Sequence, residues 1–231
     1  GKDNLIKTCF SLFSKKDNFF LTRATAPAIE DEAMKVKRIA FSEINKDDYK
    51  ETFLELVYVI LAAGTSARLA LSTVDILKKD DFVFNKDLAQ IIKRLKGCYR
   101  FYNLRGKYIY NTREYLRDSY NFNFHEIFRN IQDSHLRRSF FSSDKRIQGV
   151  GMKAASHFLR NIGFDEYAIL DKHIINLMKE VGYIENDYTI NKEESYLYAE
   201  SILKSIAKKK RISLPVLDLA LWFYKTGKII K

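Results

Sequence analysis

Two prolines and nine glycines in 231 residues leave few places at which a helix must stop. Between those breaks apolar residues recur at helical spacing, and no series of alternating residues marks strands. The expected fold is all-α, in a chain long enough for one large domain or two small lobes with a real core. Residues 47–63, ending Leu54, Leu56, Val57, Val59, Ile60 and Leu61, predict a buried central helix, broken at Ala62-Ala63-Gly64. Thr65 or Ser66 can cap a helix to about Lys79, and Asn85 can cap 86–96, which Gly97 stops. Helices are expected at 103–119 and 124–142, then a turn from Ile147 to Gly151, then 152–162 closed by Gly163. Asp171 opens a helix ending near Gly182, Asn191 opens 192–209, and Ser213 opens the last, with Pro215 tolerated in its first turn.

Lys+Arg 40 against Asp+Glu 29 leaves a net charge of +11, which favours a polyanionic partner, nucleic acid first. The cysteines Cys9 and Cys98 form neither a zinc or iron–sulfur ligand set nor a disulfide framework, so a reducing interior is expected. No apolar run has the length of a membrane span, and Leu5 to Phe13 is interrupted by Lys7, Thr8 and Ser11, unlike a signal peptide. An intracellular setting, in cytoplasm, nucleoid or nucleus, follows as the expectation.

The most specific local pattern is Gln148-Gly149-Val150-Gly151-Met152-Lys153, with Asp171 eighteen residues beyond the lysine. Glycines at 149 and 151 permit positive φ and leave no Cβ to block a close neighbour. The helix that follows points free N–H groups at the turn and makes an anion site suited to a phosphate. With a helix on each side, the unit is a helix–hairpin–helix that docks DNA backbone without reading sequence. Lys153 lies in the first turn, where the helix dipole disfavours a cation. It can be a phosphate contact, or a nucleophile if its amine is neutral. Asp171 can cap its helix, act catalytically, or do both. His173, at the same helix start, is a phosphate contact or an ordinary polar helix residue.

Residues 148–163, with Ala168-Ile169-Leu170-Asp171-Lys172-His173-Ile174, resemble the helix–hairpin–helix DNA glycosylase superfamily, and within it the type-2 8-oxoguanine DNA glycosylase/lyase group. That group is compact and all-helical and has no β-rich N-terminal domain. The resemblance runs from about residue 47 to the end. It implies that Lys153 attacks C1′ of the damaged nucleotide and that Asp171 stabilises the cationic sugar; Gly149, Gly151 and His173, read from the turn and the helix start, are the expected DNA-backbone contacts. The ending Asp218 to Lys231 is similar to the group's C-terminus. There the terminal residue, Lys231 here, folds into the base pocket and its carboxylate accepts the N7–H of 8-oxoguanine, while Trp222 would stack on the flipped base. Read alone, Trp222 could equally be core and Lys231 a frayed end.

A third similarity covers residues 97–109. It implies that Phe101 wedges into the base stack, with Arg100, Arg105 and Lys107 at phosphates; read alone, Phe101 could be core. The four-cysteine cluster of the iron–sulfur relatives is absent, and Gly64 offers no side chain where they contact the opposite base.

The expectation is two helical lobes flanking a DNA-binding cleft: 47–162, ending in the helix–hairpin–helix, and 1–46 plus 163–231. There would be no β domain and no iron–sulfur cluster. The expected activity is excision of 8-oxoguanine from double-stranded DNA through a lysine Schiff base, with β-elimination nicking the strand. The enzyme would be a monomer that needs no cofactor; a monovalent cation at the carbonyls of Ile147 and Val150 is an option. Alternatives are a glycosylase for another lesion or mainly an abasic-site lyase, a non-catalytic helix–hairpin–helix module, and a basic helical scaffold for acidic proteins.

Overall fold

The computed structural model describes residues 48–226. All regular structure among them is helical, with no strand. The chain divides into two compact units between Ile162 and Gly163.

In the first unit α1 (Tyr49–Ala62) is the central helix. Phe53, Leu56, Val57, Ile60 and Leu61 are fully buried, and nine of its fourteen residues are buried in all. A helix apolar on every side must be wrapped by others, and α2, α5 and α8 pack on it. Each such aliphatic side chain contributes roughly 1.5–3 kcal/mol by leaving water. Asp48 caps α1, and Ser66 caps α2 (Ala67–Lys78).

A 3-10 turn, Lys79–Asp81, leads into a short α3 (Phe82–Asn85). Asn85 therefore ends a helix and does not open one. The cap of α4 (Leu88–Lys96) is Asp87, whose carboxylate accepts from Gln90 N–H at 2.8 Å while the Gln90 side chain accepts from Asp87 N–H at 3.2 Å. This reciprocal pair satisfies two orphan donors and outcompetes the single bond Asn85 could offer. Arg113 of α5 (Tyr102–Tyr120) is buried because its guanidinium donates to the last carbonyls of the α3 region, those of Val83 and Lys86, at 2.6 and 2.7 Å.

The single helix expected over 124–142 is two, α6 (Phe124–Asn130) and α7 (Ser134–Ser143). Asp133 caps α7 through Leu136 N–H. Arg137, buried, donates back to the carbonyls of Ile131 and Gln132 at the break, at 3.2 and 2.7 Å. Apolar spacing continues through the break, so periodicity alone hides it. Helix α8 (Met152–Asn161) buries Ala155, Phe158 and Leu159 against α7 and α1, with the Phe141 and Phe158 rings 4.8 Å apart.

The second unit holds α9 (Lys172–Glu180), α10 (Glu193–Lys210) and α11 (Leu214–Thr226), with α11 packed on both others. Between Gly163 and α9 the buried segment Tyr167-Ala168-Ile169-Leu170 belongs to no helix, so its N–H groups have no helical partners. Side chains supply them. Ala168 N–H donates to buried Glu200 (2.9 Å), Ile169 N–H to buried Asp218 (3.1 Å) and Leu170 N–H to the Tyr196 hydroxyl (3.3 Å). The Tyr196 hydroxyl in turn donates to the Ala168 carbonyl at 2.7 Å. Losing any one acceptor would leave a buried donor unsatisfied, at about 1–3 kcal/mol.

Candidate active site

The hairpin is braced from outside itself. Gly149 has φ +77, and a Cβ there would lie 2.5 Å from Tyr108 Cδ2. Glycine is demanded at this position both by conformation and by the ring pressed against it. From the next turns of α5, Thr112 Oγ1 accepts the Gln148 N–H at 2.9 Å and the Asn111 amide donates to the Gln148 side chain at 3.0 Å. Ile147 and Val150, the residues whose carbonyls would hold a monovalent cation, are buried in the turn.

Gly151 differs from the sequence expectation. Its φ is −90, so it needs no left-handed freedom, and a Cβ there would meet nothing within 4 Å. The protein itself does not require glycine at 151; only something approaching from outside would. Gly151 is also the N-cap of α8 and has no side chain to bond the first-turn N–H groups. Those donors remain available, in contrast to α1, α2, α4, α7 and α9, which carry side-chain caps. Lys153 follows, exposed, as the second residue of this uncapped helix.

Asp171 sits where the clamped extended segment meets α9. It is the N-cap, with Oδ1 accepting from His173 and Ile174 N–H, both at 2.9 Å. Its Oδ2 accepts the indole N–H of Trp222 at 3.0 Å. The structure thus joins two residues singled out for different roles, and His173 stands beside them with its ring perpendicular to the indole, centroids 6.5 Å apart. Lys231 lies outside the described residues.

Phe101 precedes α5 and is half-buried. The Arg100 guanidinium lies over its ring at 4.6 Å, and Gly64 passes beneath it, its would-be Cβ 3.8 Å from Phe101 Cε2. Leu104, one turn on, is 48% exposed. Arg100 is exposed. Arg105, expected at a phosphate, is instead half-buried and donates to the Ala63 carbonyl at 3.0 Å; its Nε is buried without a hydrogen-bond partner. It ties the turn after α1 to the hairpin side of α5, with 3.3 Å between its Nη1 and the would-be Gly149 Cβ.

Sequence reasoning missed Tyr108, Asn111, Thr112, Tyr196, Glu200 and Asp218. Only Asp218 carried a local signal, a carboxylate among the apolar residues of 214–222, four residues before Trp222 and on the same face. Among the described residues no group of three His, Cys, Asp or Glu side chains could hold a metal ion, and no helix is long and apolar enough to cross a membrane.

An uncapped hairpin helix bearing a lysine, in an all-helical fold with a rigidly held aspartate, defines the helix–hairpin–helix glycosylase class. The chain belongs to the 8-oxoguanine DNA glycosylase family, whose model matches residues 34–212. The 8-oxoguanine DNA glycosylase/AP lyase of Picrophilus torridus is 37% identical over 192 residues, covering 83% of this chain and 87% of the relative. The enzyme of the same name from Thermoplasma volcanium is 35% identical over 83% of this chain and 86% of its own. Among solved structures, the Methanocaldococcus jannaschii 8-oxoguanine glycosylase/lyase in complex with a 15mer DNA containing 8-oxoguanine superimposes with a TM-score of 0.77. It is 28% identical, over 98% of this chain and 99% of that one. The 8-oxoguanine DNA glycosylase of Thermotoga maritima gives 0.73 at 26% identity over the full length of both.

Proposed function

We propose that this protein is a bifunctional DNA glycosylase/AP lyase that removes 8-oxoguanine from double-stranded DNA and nicks the strand. The observation that carries this reading is Lys153 in the first turn of a hairpin helix whose N-terminal donors no side chain occupies. A phosphate can take those donors, which seats the DNA backbone next to an amine.

In this reading the glycosidic bond of the flipped nucleotide loosens and positive charge grows on the sugar. Asp171 stabilises that charge electrostatically, held for the task by its cap and by Trp222. The neutral amine of Lys153 forms a bond to C1′ and the base leaves with the glycosidic electron pair, taking a proton. The sugar ring opens, its oxygen taking the C1′–O4′ electron pair and a proton, and leaves a protonated Schiff base. That iminium acidifies the C2′ proton; a base removes it, the electrons shift toward nitrogen, and the C3′–O bond breaks with departure of the 3′ phosphate. Water then hydrolyses the Schiff base. The amine supplies the nucleophile and the carboxylate the charge stabilisation for these steps, and one chain carries both. A monovalent cation on the Ile147 and Val150 carbonyls would strengthen phosphate binding without entering the chemistry. Phe101 and Arg100 supply the wedge and a flanking cation, and the substrate puts the work inside the cell.

Duplexes carrying one 8-oxoguanine, one undamaged guanine or one abasic site separate the outcomes. Cleavage of the first and third but not the second is expected. Cleavage of the abasic duplex alone would reduce the activity to a lyase, and no cleavage of any would overturn the reading.

A further inference from the structure

Aspartate at an N-cap ordinarily spends one oxygen on the helix and leaves the other in solvent. At Asp171 the second oxygen is taken as well, by Trp222 Nε1 at 3.0 Å. An indole N–H is a donor and nothing else, so the pair has only one sense. With Oδ1 fixed by two backbone N–H groups and Oδ2 by the indole, rotation of the carboxylate about its own bond would break a hydrogen bond in either direction.

The indole is itself anchored to the segment it serves. Asp218 lies one turn before Trp222 on α11 and accepts the N–H of Ile169, two residues before Asp171. Helix α11 therefore grips the extended segment at 169 and at 171. From the far side α10 holds Ala168 and Leu170 through Glu200 and Tyr196. The grip is built of buried polar contacts, Asp218 and Glu200 being 3% and 1% exposed, which are costly to leave unmade.

We propose that Trp222 is the positioning residue of Asp171: its indole N–H fixes the carboxylate so that the negative charge is preorganised toward the sugar. This rests on the reading of Asp171 as the sugar-stabilising group. It adds a task to the ring beyond stacking on a base. The two tasks use different parts of the indole, the in-plane N–H for the carboxylate and a ring face for a base, and they can be separated by experiment.

Trp222→Phe keeps an aromatic face and removes the donor. An abasic duplex has no base to stack, so a wall for the base is idle there while the carboxylate is not. Single-turnover cleavage of both the 8-oxoguanine and the abasic duplex is expected to fall by about tenfold or more, with DNA affinity kept within about twofold. In an Asp171→Asn background Trp222→Phe should add little, because both changes act through one group. Wild-type cleavage of the abasic duplex by Trp222→Phe, or losses that multiply with Asp171→Asn, would overturn the proposal.

Trp222 is the single tryptophan of the chain, so its indole N–H gives one NMR resonance in the intact protein. That resonance should move and exchange faster with solvent in Asp171→Ala; an unchanged signal would refute the pairing. This readout needs no activity. If the wild type cut neither duplex, the functional reading would fall while the resonance still decided the contact.

Discussion

At the scale of single residues, Asp171 combines a structural and a chemical role that one substitution can divide. Asparagine is as good an N-cap as aspartate, so Asp171→Asn should leave α9 formed, but its amide NH2 would face the Trp222 indole N–H where an acceptor stood, and a stability loss of about 1 kcal/mol is expected. It removes the charge, however, and base excision should fall by roughly a hundredfold or more under single-turnover conditions. An inactive variant that loses several times that stability would mean that the cap and not the charge was lost; an active one would remove the carboxylate from the mechanism. The cap was legible in the sequence, as a carboxylate placed just before Ile174, Leu177 and Met178, the apolar face of α9. The contact with Trp222 was not, because no spacing rule relates residues fifty-one positions apart.

At the scale of elements, the hairpin separates two glycines that look alike in sequence. Gly149→Ala forces a Cβ into the Tyr108 ring at a positive φ, and a loss of about 2–3 kcal/mol of stability is expected, read as a lowered melting temperature. Gly151→Ala meets open space at a negative φ, so stability should hold. Its DNA affinity should nevertheless fall, by about tenfold, if backbone phosphate approaches there. Equal melting temperatures for the two variants would refute this division. The residues just before the turn carry a pH signature. Asp144 accepts from Arg146 at 2.7 and 2.9 Å and from the Tyr115 hydroxyl at 3.0 Å, and Arg146 above all holds its carboxyl down to about 2. A carboxylate with a depressed folded pKa adds stability above the ordinary carboxylate range and loses it as pH falls toward that lower value. Asp144→Asn should therefore be less stable than the wild type at neutral pH, with the gap closing between about pH 4 and about pH 2. A gap that stays constant across that range would assign no role to the charge.

For the molecule as a whole, the helical class followed from few breakers and sustained period, but the boundaries that failed share a cause. Asn85 and Asp87 are both acceptable caps, and the choice fell to Gln90, whose reciprocal bond closes only with Asp87. The break between α6 and α7 depends on Asp133 and on Arg137 folding back onto freed carbonyls, a tertiary arrangement that leaves the apolar pattern intact. Likewise Glu200 and Tyr196 serve a segment that is not helical, and nothing near them in sequence announces it; Asp218 alone stands out, as a carboxylate among apolar residues. The surplus of charge, +11, belongs to this scale too. If about six or more phosphates are neutralised, DNA affinity should fall by about a thousandfold or more between roughly 50 and 200 mM salt. A flat salt dependence would favour a partner other than nucleic acid.

The nucleophile is tested most directly by borohydride trapping on a duplex with one 8-oxoguanine opposite cytosine, with Lys153→Gln run alongside. A covalent protein–DNA band is expected from the wild type and none from the variant, with DNA binding retained by both. A band of equal strength from Lys153→Gln would contradict the assignment of the amine, and the absence of a band from the wild type, with binding intact, would contradict the Schiff-base mechanism itself.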